Sequence, residues 1–87
     1  MLSDTPPLLT MRGAQLLYEY MQGGLRHVDA DDAFVLARHY GLLYQSDSGY
    51  ITPTRRGRLF LQIMRQHISI QQRYPKLLLL GLPIVRD

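Results

Sequence analysis

Cysteine is absent from the 87 residues, which excludes a disulfide scaffold and a thiolate-held zinc site. Lysine is nearly absent as well: Lys76 stands alone, so arginine carries almost all of the positive charge. Arginine suits bidentate contact with phosphate or guanine, and biased genomic base composition gives the same pattern. No long hydrophobic run occurs. The longest apolar stretch, from Leu77 through Leu80 to Val85, is broken by Gly81 and Pro83 and falls short of the roughly 20 residues a bilayer span requires. The first residues have no basic region followed by a sustained apolar run, so no secretory leader is expected and a cytoplasmic protein is the default. Internal repeats and low-complexity linkers are also missing.

Catalytic and metal-binding patterns are equally scarce. No nucleophile elbow, P-loop or Rossmann glycine pattern is present, and Gly23-Gly24 lacks the Lys-Ser/Thr that would follow in a phosphate loop. His27, His39 and His67 occur singly, with no i,i+4 pair and no glutamate at ligand spacing. Asp29-Ala30-Asp31-Asp32 lacks the glycine turn and distal glutamate of a calcium loop, so helix capping explains it better. A binding module without metal or cofactor is expected, not an enzyme.

What is present suits one modest core, marginal as a monomer: 46% of residues are apolar and 20% charged. The net charge of +3 favours an anionic partner mildly, so the placement of the basic residues matters more than their sum.

Residues 1–9 read as an irregular arm, because Pro6-Pro7 disfavours regular structure. Thr10 caps a helix from Met11 to about Gln22, with Met11, Ala14, Leu17, Tyr18 and Met21 on one face. Leu25-Arg26-His27-Val28 is read as a short strand. Asp29 then caps a helix through Tyr40 whose buried face is Ala33, Leu36, Ala37 and Tyr40, ended by Gly41. The alternation of Leu42 and Tyr44 with Leu43 and Gln45, the turn formers Ser46-Asp47-Ser48-Gly49, and Tyr50-Ile51-Thr52 predict a β-hairpin. Thr52 before Pro53, or Thr54, starts a long helix that Pro75 stops near Tyr74. Its polar stripe is Gln62, Arg65, Gln66, Ser69, Gln72 and Arg73. The remaining apolar arc, with the tail 75–87, is wider than one small domain covers. A homodimer through the last helix and tail is therefore expected.

A helix ending in Gly41-Leu42-Leu43, a hairpin, and Thr54-Arg55-Arg56-Gly57-Arg58 at the next helix start resemble the wing of winged helix-turn-helix DNA-binding domains. The resemblance covers roughly residues 30–64 and is one helix short, since two helices, not three, fit before the hairpin. It implies a small α+β winged-helix-like domain spanning 1–87, in the order helix, strand, helix, hairpin, long helix, apolar tail. It also implies a dimeric transcriptional regulator that binds double-stranded DNA. In such domains the helix before the hairpin enters the major groove. Carried over, Val35, Arg38 and His39 would face bases or phosphates, Ser46, Asp47 and Ser48 would form the wing tip, and Arg55, Arg56 and Arg58 would adjoin the backbone. Arginines at a helix N-terminus oppose the helix dipole, so their clustering there invites an anionic partner. The alternative is a winged protein-interaction module that docks a larger partner through hairpin and tail; the hairpin-plus-glycine pattern also occurs in winged domains that bind no DNA. Tyr18, Tyr20, Tyr40, Tyr44 and Tyr50 could stack on bases, but packing at the core edge suits their amphipathic rings better.

Overall fold

Thr10 ends a two-residue strand, β1 (Leu9–Thr10), and caps the first helix, α1 (Met11–Gln22), where its Oγ1 accepts from the Gly13 amide at 2.9 Å. This computed structural model describes residues 8–23 and 32–86. The expected strand at Leu25–Val28, the Asp29 cap, Ala30 and Asp31 lie outside the described residues. The chain continues as α2 (Asp32–His39), β2 (Leu43–Gln45), β3 (Ile51–Pro53), α3 (Arg55–Gln66), α4 (Ile70–Leu79) and β4 (Ile84–Val85). The class is α+β.

The predicted inner face of α1 is largely the observed one: Met11, Ala14, Leu17 and Met21 are buried, and Tyr18 packs half-buried against them. In α2 the buried face is rotated from the expected one. Phe34 joins Ala37 and Tyr40 in the core, whereas Leu36 is 36% exposed, because burying the larger ring removes more apolar area from water. The hairpin pairs β2 with β3 antiparallel, placing Leu43 opposite Pro53 and Gln45 opposite Ile51. Leu43 and Ile51 enter the core and Tyr44 points outward. Leu42 is also buried, because it precedes the strand and does not share its alternation. Gly49 takes φ +90° in the turn, a conformation that glycine adopts without the Cβ clash.

The predicted single helix over 53–74 is two helices, and Thr54, not Thr52, begins the first. Thr54 Oγ1 accepts from the Gly57 amide at 3.0 Å, while Thr52 and Pro53 belong to β3. The break falls at His67–Ser69, where Ser69 caps α4 by accepting from the Gln72 amide at 3.3 Å. Pro75 therefore sits inside α4 and does not end a helix. One arginine of the expected polar stripe, Arg73, closes this break. Arg73 donates to the Met64 carbonyl at 2.9 Å, to the His67 carbonyl, and to Gln15 Oε1 at 3.0 Å. A guanidinium on the free carbonyls of a helix C-terminus satisfies orphan acceptors and complements the dipole.

The apolar tail is also more structured than expected. Leu77 is fully buried, and Leu82 and Ile84 join the same hydrophobic cluster as Phe60, Met64, Leu42 and Leu43. β4 pairs parallel with β1, Leu9 opposite Ile84, and the Leu9 amide donates to the Pro83 carbonyl at 2.8 Å. Residue Leu9 of the expected irregular arm is thus a strand residue. Apolar surface expected to face a second copy is partly spent within the chain. What remains exposed there is Leu59, Ile68, Ile70, Leu78 and Leu79.

Candidate nucleic-acid interface

The hairpin returns the chain to the end of α2, and a set of backbone contacts locks the two together. The Thr54 amide donates to the Leu42 carbonyl at 3.0 Å, and Thr54 Oγ1 donates to the Gly41 carbonyl. Gly57 lies against the same turn: a Cβ built on it would stand 2.0 Å from the Leu42 carbonyl oxygen. The last turn of α2 and the first turn of α3 are therefore adjoining parts of one rigid junction.

Arg38 and His39 occupy that last turn, exposed, and with Phe34 and Val35 they line a shallow open hollow on α2. Val35 is 56% exposed, a large share for a β-branched apolar side chain. Ser46 and Ser48 form the hairpin tip with their hydroxyls 3.1 Å apart, and the Ser46 hydroxyl also accepts from the Tyr50 amide at 3.1 Å. Three strand residues, roughly 10 Å, separate the tip from the junction. The junction joins the start of α3 to Tyr40, Gly41 and Leu42 just after α2, and the hairpin tip stands apart from it.

The three arginines at the start of α3 divide by role. Arg55 and Arg58 are exposed, with Arg58 donating weakly to the Pro53 carbonyl at 3.5 Å. Arg56 donates to the Tyr40 carbonyl at 3.0 Å, and its guanidinium lies beside both Gly41 and Gly81, the latter in the turn after α4. It lies against two helix ends while remaining exposed to solvent.

Residues further along α3 were missed as site candidates. Arg58, Leu61, Gln62, Arg65 and Gln66 line a second open hollow. The available signal was the distribution of charge. Between Ser48 and Arg86 every charged side chain is cationic (Arg55, Arg56, Arg58, Arg65, Arg73, Lys76 and Arg86), while six of the seven acidic residues (Asp4, Glu19, Asp29, Asp31, Asp32 and Asp47) precede it and Asp87 follows it. The modest net charge conceals this segregation. Behind the hollow, Leu59, Ile63, Leu79 and Leu80 with Gln62, Gln66, His67 and Lys76 form an apolar groove between α3 and α4. Burial raises the pKa of the Tyr40 phenol above its ordinary value.

Among the described residues no three His, Cys, Asp or Glu side chains converge as a metal site, and no helix is long and apolar enough to cross a membrane. Fold and surface define a small α+β domain whose cations are concentrated after the hairpin. No protein-family model matches the chain, and comparison with curated proteins and with solved structures returned no match.

Proposed function

We propose that this chain binds double-stranded DNA as a degenerate winged-helix domain of the kind found in small transcriptional regulators. The observation that carries this reading is the run from Ser48 to Arg86 without a carboxylate, which presents exposed Arg55 and Arg58 where the hairpin meets α3. Such a surface neutralises phosphates and releases counterions on binding. Arg38 and His39 in the last turn of α2 would add backbone contacts, and Ser46 and Ser48 would supply hydroxyls to the sugar-phosphate backbone. Two copies, joined through Leu59, Ile68, Ile70, Leu78 and Leu79, would present two such faces to a duplex.

Fluorescence anisotropy with mixed-sequence duplexes at low salt tests the proposal. Binding that weakens linearly in log–log salt plots is expected, with Arg55→Ala and Arg58→Ala each lowering the slope by about one unit. Absence of binding at tens of micromolar overturns it. The apolar groove between α3 and α4 favours the second reading, a protein-interaction module, whose affinity would depend little on salt.

A further inference from the structure

On the proposed reading that the ligand is duplex DNA, we infer that α3, and not α2, is the helix that enters the major groove. Arg55 and Arg58 hold phosphates there, and Gln62, Arg65 and Gln66 face the base edges. The inference rests on what each helix exposes. α3 buries Gly57, Phe60 and Met64. At 100° per residue, Arg55, Arg58, Gln62, Arg65 and Gln66 then fall in an opposite arc roughly 100° wide, and all five are exposed.

That arc contains only the two side-chain types that make paired contacts to purines. Arginine donates twice to guanine O6 and N7, and glutamine donates to and accepts from adenine at N7 and N6. Gln62 and Gln66 are one helical turn apart, about 6 Å along the axis, close to two base-pair steps of about 3.4 Å. Arg65 lies between them along the axis, at one edge of the arc. The arc runs about 16 Å from Arg55 to Gln66, so phosphate-binding and base-reading groups are ranged along one helix.

α2 lacks these properties. It has eight residues, and exposed Asp32 lies in its first turn, where a carboxylate would repel phosphate. Its cations, Arg38 and His39, sit in the last turn beside the junction with α3, which suits contact with the backbone flanking the groove. Gln62 and Gln66 also border the apolar groove behind α3, so they form the ridge of the molecule there.

The test uses the full chain. Selection from a random duplex library yields the preferred sequence, and anisotropy then compares it with a scrambled duplex and with double-stranded RNA of matching sequence. Gln62→Ala and Arg65→Ala are expected to lose about 5- to 150-fold of the preference for the selected duplex, the range given by one paired base contact. Arg38→Ala is expected to weaken both duplexes alike. Circular dichroism melts should leave the variants at wild-type stability, since the three side chains are exposed. The inference fails if Arg38→Ala abolishes the preference while Gln62→Ala and Arg65→Ala keep it, although DNA binding itself would stand. It fails likewise if no sequence preference emerges, or if double-stranded RNA, whose deep narrow major groove admits no helix, binds as well as DNA. If no duplex binds at all, the proposed function falls with it.

Discussion

Arg56 reaches from the first turn of α3 to the carbonyl of Tyr40 at 3.0 Å. One side chain on α3 thereby contacts the end of α2 while lying against the Gly81 turn after α4. Arg56→Ala should cost about 0.5–1.5 kcal/mol of stability in urea unfolding, the range for an ordinary hydrogen bond, since its charge is shared with solvent. It should leave the salt slope of DNA binding unchanged. Arg56→Lys should not restore stability, because an ammonium cannot match the planar fork. A reduced salt slope for Arg56→Ala at full stability would show that the side chain meets the ligand.

Gly57 is the position least able to change. A methyl group there would stand 2.0 Å from the Leu42 carbonyl oxygen, which also accepts from the Thr54 amide. Removing the contact requires moving backbone, so Gly57→Ala should destabilise by at least about 2 kcal/mol, within the range of overpacked cores. This is opposite in sign to the gain of about 1 kcal/mol for the same change at an open helix site. Equilibrium unfolding decides between the signs.

Tyr40 provides a pH dependence. Burial raises its pKa above 10.0, so the folded state holds the neutral phenol and ionisation favours unfolding. Its contribution is complete below the ordinary value and declines as pH rises above it. Chemical denaturation between pH 8 and about 11 should show stability falling at the alkaline end. Tyr40→Phe should flatten that fall.

Leu79 is 87% exposed and Ile68 85%, near the apolar groove of α3 and α4. If two copies meet there, the wild-type protein sediments as a dimer at micromolar concentration. Leu79→Glu then sediments as a monomer with an unchanged melt. A monomeric wild type overturns the dimer.

Much of the local structure was legible because it depends on neighbours in sequence. Thr10 and its apolar face specify α1, and Ser46 to Gly49 specify the hairpin turn. The misread elements depend on distant contacts. Nothing near Ser69 shows that Arg73 will cap the end of α3, nor that Leu77 will fill the core and so draw the tail inward. The contact of Arg56 with the Tyr40 carbonyl was hidden for the same reason: the two are 16 positions apart. The exposed α3 face was in view as a polar stripe, but its meaning came from the carboxylates missing around it.

The pairing of Leu9 with Ile84 has a kinetic side. It joins residues about 75 positions apart, a loop whose closure entropy is among the largest this chain can incur. Local pieces such as α1 and the hairpin can form early, while the β1–β4 seam must wait for the core to bring its halves together. Two residue pairs hold that seam, so an opening there breaks few ladder hydrogen bonds but uncovers core side chains. Such an opening would bare Leu9, Leu82 and Ile84 together, exposing apolar strand edges of the kind that invite pairing with another chain.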